Sequence, residues 1–256
     1  MFFDVTIPKQ QLTSNDVHLW TITPDKISSL EQLSALKSLL SQAEIEKILN
    51  YRQHKSQHTA IITRAFVRTV LALYLDCQPH ELEFTINKHG KPALSNTSVP
   101  LKFNLSHNDQ LIICSVCLAH DIGCDVENIS RKISIDSIAK RYFSNQEATS
   151  LLSLPIDKKQ QRFFEYWTLK EAFVKAMGIG ISFGLDTFSF HINSSATATF
   201  NDNITLSMAD KHALSSDAVW YHCLIYPDSD HCIAISVNPK TLGSAINITQ
   251  FNADNF

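Results

Sequence analysis

Two segments of this sequence hold acidic and basic side chains at spacings that could do chemistry together. In Ile122-Gly123-Cys124-Asp125-Val126-Glu127, an apolar run leads into two acids. Residues two apart on a strand share a face, so Asp125 and Glu127 would stand side by side. Adjacent carboxylates repel and are costly to bury without a counter-ion. The pair points to a cation, most simply Mg2+, which prefers oxygen ligands. The plainer reading is a strand end with two solvated acids. In the second segment, Trp167, Glu171 and Lys175 recur at i, i+4 and i+8, on one helix stripe. A Glu–Lys pair supporting a surface helix accounts for the charges but not for the tryptophan beside them. The stripe implies a partly desolvated site, where the carboxylate could act as base or ligand and the lysine could neutralise a phosphate.

Two shorter segments could assist. Phe103-Asn104-Leu105-Ser106-His107-Asn108 reads as a strand ending in Ser-His. Adjacent Ser and His need not meet, which argues against a hydrolase triad. The hydroxyl and imidazole could still both donate to a phosphate; a locally capped turn is the alternative. Lys88-His89-Gly90-Lys91-Pro92 is a basic turn that means little alone. Weaker signals are discounted. His54 and His58 have H-x-x-x-H spacing, but no Glu follows His54 as a zinc protease requires. No Walker pattern or G-x-G-x-x-G occurs, and Gly178-Ile179-Gly180 reads as a helix C-cap. Cys114 and Cys117 have C-x-x-C spacing within an apolar strand pattern. Their odd separation turns them to opposite faces, so they read as buried small hydrophobes.

The elements that must position these side chains follow from periodicity. Weak alternation over 17–22 predicts an opening strand. Ser41-Gln42-Ala43-Glu44 is a capping box opening a helical stretch, in which 61–75 keep helical spacing until Cys77-Gln78-Pro79. Short strands are expected at 83–86, 103–105, 111–118 and 122–127. Ser144-Asn145-Gln146-Glu147 is a second capping box, and a longer helix covers 160–177. Strands are expected at 188–191, 197–200, 219–225 and 231–237. The order helix, helix, strands thus occurs twice, which points to two similar halves with a seam near Asp121, unless two amphipathic helices coincide.

Composition narrows the class. The chain has 256 residues, 44% of them hydrophobic and 18% charged, which excludes collagen-like, low-complexity and disordered proteins. A net charge of −3 disfavours a nucleic-acid partner. The charge is uneven, because residues 41–72 lean basic and residues beyond 185 lean acidic. A local basic site for an anionic ligand is compatible with that. Residues 1–10 show no signal-peptide pattern, and the longest apolar stretch, 111–119, is too short to span a bilayer as a helix. A cytoplasmic protein with no membrane partner is expected.

Taken together, these segments resemble the 4′-phosphopantetheinyl transferases of the large, Sfp-like, pseudodimeric type. The resemblance is carried by LSQAEIEKIL with RAFVR, KHGKP, FNLSHN, IGCDVE, RYFSNQE and WTLKEAFVKAMGIG, over roughly 41–190. It implies an α+β fold of two similar halves related by a pseudo-twofold axis, each a small, mostly antiparallel sheet packed with helices. The halves would be 1–121 and 122–256, with coenzyme A bound at the seam. It also implies a reaction: the 4′-phosphopantetheine arm of coenzyme A passes to a serine of an apo acyl or peptidyl carrier protein, releasing 3′,5′-ADP in a Mg2+-dependent step. By similarity, Asp125, Glu127 and Glu171 would bind Mg2+, with Glu147 a further acid near the metal that its capping box alone would also explain. Glu171 would also deprotonate the carrier serine, Lys175 would stabilise the pyrophosphate, and Ser106 and His107 would contact phosphates. Lys91 and Pro92 would line the adenine pocket. Lys47, with Arg64 as a further candidate, would meet the 3′-phosphate, and Arg68 could instead be structural. Glu44 departs from the pattern, because some members carry a basic residue there. Two halves in one chain would complete the site, so a monomer is expected. One rival is a metal-dependent nuclease, whose D/E-x-K signature matches only Asp157-Lys158-Lys159, in a polar stretch read as a loop. Another is a non-catalytic module binding coenzyme A or a carrier, which predicts loss of the acids that are present here.

Overall fold

A computed structural model describes residues 9–180, 183–193, 199–200, 203–208, 219–239 and 245–254. The fold is mixed α+β, built from small sheets and helices. Strand Asp16–Ile22 (β1) is followed by helices Leu30–Lys37 (α1), Gln42–Leu49 (α2) and His54–Ala72 (α3). Strands Phe84–Ile86 (β2), Pro92–Leu94 (β3), Leu101–His107 (β4) and Ile112–Leu118 (β5) come next. The same order then recurs. Strand Asp121–Asn128 (β6) precedes helices Ile135–Tyr142 (α4), Asn145–Leu152 (α5) and Ile156–Met177 (α6). Strands Phe188–Ile192 (β7), Ile204–Met208 (β8), Tyr221–Ile225 (β9) and His231–Asn238 (β10) follow, and Asn247–Asn252 (β11) is added.

The sheets recur with the elements. One has the order β1-β5-β4 and the other β6-β10-β9, each antiparallel with the last-formed strand in the middle. β2–β3 and β7–β8 are separate antiparallel hairpins. β11 departs from the pattern by adding to β1 in parallel, with Asp16 opposite Asn247.

Strand alternation sorts the core into layers. Trp20, Ile112, Cys114 and Val116 pack under α1–α3, with Phe66 and Leu71. Val17, Leu19, Ile113 and Cys117, on the opposite face, join Cys124, Val126, Ile233 and Ile235 of the second sheet. Cys232, Ala234 and Leu224 then face Phe163, Leu169 and Phe173 of α6. Cys114 and Cys117 therefore do lie on opposite faces, as free buried thiols.

Both expected capping boxes form. Ser41 accepts from the Glu44 N–H, Ser144 accepts from the Glu147 N–H, and each Glu reaches back to its serine's N–H. Helix α6 starts at Ile156, earlier than the expected 160, because its first turns are solvated and carry no apolar period. Asp157-Lys158-Lys159 thus lies in the first turn of a helix and in no strand. Of the expected strand 197–200, residues 197–198 lie outside the described residues and 199–200 are not strand. The partner of β7 is β8, whose Ile204, Leu206 and Met208 alternate in register with Ile192, Phe190 and Phe188. Gly178 closes α6 with φ +67, the left-handed C-cap its position requires.

Candidate functional site

The site is built where β6 crosses α6. Gly123 permits that crossing: a Cβ there would lie 2.1 Å from the Ala172 carbonyl oxygen and 2.3 Å from the Ala176 nitrogen. Only glycine lets the two backbones approach so closely. The approach puts the acids of β6 within reach of the α6 stripe. Lys175 Nζ donates to Asp125 Oδ1 at 2.6 Å and to Ser106 Oγ at 2.9 Å. Ser106 Oγ in turn donates to Asp125 Oδ1 at 2.8 Å, closing a triangle across β4, β6 and α6.

The electrostatics are those of crowded acids. Burial first, and then the charge of Asp125, push the Glu171 carboxyl up to about 7. The same two causes raise Glu127, against the pull of Arg131, whose guanidinium lies 3.2 Å from its Oε2, and of a hydrogen bond with Trp167. Burial works against the Lys175 ammonium, but Asp125 overrides it and holds the lysine above its ordinary value. Asp125 Oδ2 is buried with no hydrogen-bond partner. Trp167 stacks on Phe163 and meets Tyr142 edge-on, which anchors its ring in the second core.

A cavity of about 1420 Å³ opens beside this triangle, walled by α2, α3, the β2–β3 hairpin, β4 and the C-terminal part of α6. Lys47, Arg64, Lys91, Pro92, His107, Glu171 and Lys175 border it. Ser106, Asp125 and Glu127 do not border it. The ring of His107 opens on the cavity. Desolvation there, then the charges of Lys175 and Arg64, keep its imidazole below the usual range. Arg64 donates to the Ala60 carbonyl at 3.3 Å, within its own helix.

Several residues turn out to hold the walls. Lys91 Nζ donates to the carbonyls of Ile122 at 3.0 Å and Ala176 at 2.8 Å, so its charge ties the basic turn to β6 and to the end of α6. Arg68 is buried at 3% exposure, pairs with Glu44 at 2.7 Å and donates to the carbonyls of Pro79 and Leu82. Burial would raise Glu44, but Arg68 holds it below the ordinary carboxylate range. The acid that departs from the resemblance is thus neutralised from within.

Glu147 is not brought to the acids. Its Oε2 accepts from Ser144 and from Lys170 Nζ at 2.8 Å, and its Oε1 accepts from the Phe190 N–H at 2.9 Å. These four donors give Glu147 a structural role beside the one expected of it near the metal. Glu147–Lys170 is also the counterpart of Glu44–Arg68: Lys170 donates to the Leu185 and Phe188 carbonyls and sits 4.2 Å over the Phe188 ring, as Arg68 sits 5.1 Å over Phe84.

Cavity residues with no role assigned from the sequence make two further contacts. Lys55 pairs with Asp109 at 2.8 Å across the rim, and Asn104 joins β4 to β6 through the Cys124 N–H. Both contacts depend on strands and helices distant in sequence.

Asp125, Glu127 and Glu171 are oxygen donors of the kind Mg2+ takes, and Asp125 Oδ2 is a buried acceptor with nothing to accept from. The donor set fits such an ion chemically. Among the described residues no three His, Cys, Asp or Glu side chains converge on one point, and Glu127 is turned to Arg131. Among the described residues, too, no helix is long and apolar enough to cross a membrane.

Residues 121–236 match the model of the 4′-phosphopantetheinyl transferase superfamily, and residues 27–118 match that of the 4′-phosphopantetheinyl transferase N-terminal region. The 4′-phosphopantetheinyl transferase HetI of Nostoc sp. is 38% identical over 179 residues, covering 68% of this chain and 74% of its own. The 4′-phosphopantetheinyl transferase Sfp of Bacillus subtilis is 27% identical over 195 residues, covering 76% and 83%. A holo-[acyl-carrier-protein] synthase structure from Thermotoga maritima overlaps 47% of this chain and 64% of its own, at 20% identity and a TM-score of 0.37, too slight a likeness to add to the fold described above.

Proposed function

The chain belongs to the 4′-phosphopantetheinyl transferase family, and from that premise we propose that it transfers the 4′-phosphopantetheine arm of coenzyme A to a serine of an apo acyl or peptidyl carrier protein. 3′,5′-ADP leaves, and Mg2+ assists. The carrying observation is the closed contact of Lys175, Asp125 and Ser106 beside a cavity bordered by Lys47, Arg64 and His107. A pyrophosphate ligand needs cations on one wall and a base near the bond that breaks.

In this reading Lys47 and Arg64 bind the 3′-phosphate of coenzyme A, and Lys175 and His107 meet the pyrophosphate. Ser106 orients Lys175 and Asp125 against each other. Lys91 and Pro92 shape the wall beside the adenine. Glu171 takes the proton of the attacking carrier serine; a carboxyl pushed up to about 7 is matched to that task near neutral pH. Asp125, Glu127 and Glu171 would hold Mg2+, which when bound neutralises charge on the pyrophosphate. The halves 1–121 and 122–256 are read as related by a pseudo-twofold axis, which the recurring element order supports. The protein is read as a monomer, since both halves contribute to the one site, and as cytoplasmic.

Intact-mass spectrometry of an apo acyl carrier protein, incubated with the protein, coenzyme A and Mg2+, tests the reading. The carrier should gain one phosphopantetheine, and the gain should vanish with EDTA or with Glu171→Gln. No gain despite coenzyme A binding would favour the binding module instead.

A further inference from the structure

We infer that Asn104 is a positioning residue for the transfer: by accepting the Cys124 N–H, its carboxamide sets β6 against β4 so that Asp125 meets Ser106 and Lys175. The inference rests on the transferase reading above.

β4 and β6 each lie at the edge of their own sheet, and among the described residues no ladder joins them. They nevertheless lie side by side. The Cys124 N–H points to this joint and not to β10. Left alone it would be a buried, unpaired donor, which is costly. Asn104 Oδ1 accepts it at 2.9 Å, and the side chain is itself only 4% exposed. A backbone N–H can be met only by the oxygen of the carboxamide, so the orientation of the amide is fixed. The Asn104 main-chain oxygen is engaged as well, accepting from Ser115 Oγ at 3.4 Å and from Cys124 Sγ at 3.3 Å.

Ser106 stands two residues along β4 on the face of Asn104, and Asp125 follows Cys124 directly. The Asn104–Cys124 bond and the Ser106–Asp125 bond are therefore neighbouring rungs of one joint, each made through at least one side chain. Without the first rung, the register of β6 against β4 rests on the Ser106–Asp125 bond, the weak Cys124 Sγ contact with the Asn104 carbonyl and the packing of β6 on α6. A shift on the order of 1 Å at a catalytic carboxylate costs about a hundredfold in rate.

The rival role is purely structural: Asn104 satisfies a buried donor and no more. Steady-state transfer to an apo carrier, read by intact mass well below each variant's thermal midpoint, separates the two. Asn104→Leu, of similar volume but with no acceptor, should lower kcat about 30-fold or more while KM for coenzyme A stays within about threefold. Asn104→Asp, which keeps an acceptor at the same reach, should stay within about tenfold of wild-type kcat. A folded Asn104→Leu protein with kcat within threefold of wild type overturns the inference and leaves the transferase reading standing. Should Asn104→Leu fail to fold, a loss of more than tenfold in Asn104→Asp overturns it. A wild-type protein that binds coenzyme A but charges no carrier brings down the transferase reading, and this inference with it.

Discussion

Two glutamates that the resemblance puts near the metal have opposite fates at the residue scale. Glu171 is one helical turn before Lys175 and lacks a full counter-charge, so burial and Asp125 raise its carboxyl. Glu147 has four donors on its two oxygens, one of them the buried Lys170 ammonium. Their substitutions should separate accordingly. Asp125→Ala or Glu171→Gln should cut transfer about a hundredfold or more, measured by carrier mass, with coenzyme A binding by calorimetry changed less than tenfold. Glu147→Gln strands Lys170, and breaking a buried pair costs about 3–5 kcal/mol. Its thermal midpoint should drop sharply, while transfer per folded molecule stays within about threefold.

At the element scale, the crossing of β6 and α6 governs the site. Gly123→Ala would force a methyl against the backbone of α6, which cannot yield as a side-chain tip would. Backbone displacement of this kind costs about 1–3 kcal/mol, and it would also move Asp125 away from Lys175. Loss of transfer should therefore exceed what the fall in thermal midpoint explains, measured on the folded protein. The packing of β9 under α6 gives a pH signature. His222 is fully buried, its ring meets Phe173 and Phe190, and its Nδ1 is paired with Ser236 Oγ at 2.8 Å. Burial pushes its imidazole down to about 3 from 6.5. The folded state thus holds His222 neutral while the unfolded chain takes up a proton first. Its contribution is complete above pH 6.5 and is lost as pH falls from there toward 3. Between pH 7 and 5 this one group should remove about 2 kcal/mol of unfolding free energy. Denaturant melts of wild type and His222→Gln at the two pH values check it, and an equal pH slope in both would refute the assignment.

At the scale of the whole molecule, the site depends on both runs of the recurring order. Ser106 and the cavity cations come from the first, and Asp125, Glu171 and Lys175 from the second. The last strand returns to the first sheet. β11 pairs with β1, Phe251 stacks on Trp20 with ring centroids 4.2 Å apart, and Asp254 accepts from the Thr23 N–H and from Lys26. Residues 1–121 and 122–256 expressed separately should each be unable to charge a carrier. The first should also melt at lower temperature or aggregate, since it exposes the β1 edge that β11 covers. Calorimetry and carrier mass on the separate and mixed pieces check this.

What the sequence determined by itself was local. Capping boxes at Ser41 and Ser144, the Gly178 C-cap, the alternation that split Cys114 from Cys117, and the stripe of Glu171 and Lys175 were all legible, because each is set by neighbours within a few residues. The acids of β6 and two of the three helices in each run were legible for the same reason, while α1 and α4 were not. The start of α6 was not, since its first turns are solvated and leave no apolar period. Strand β8 at Ile204–Met208 was not read from the sequence, although its Ile204, Leu206 and Met208 alternate. Only the tertiary structure decided which charges are free. It engaged Lys91, Arg68 and Glu147 in the walls, turned Glu127 to Arg131, and joined β4 to β6 through Asn104. A side chain's type and spacing fix what it can bond. Its partner is fixed by the packing of elements far apart in the chain, where burial makes each unpaired polar group too costly to leave alone.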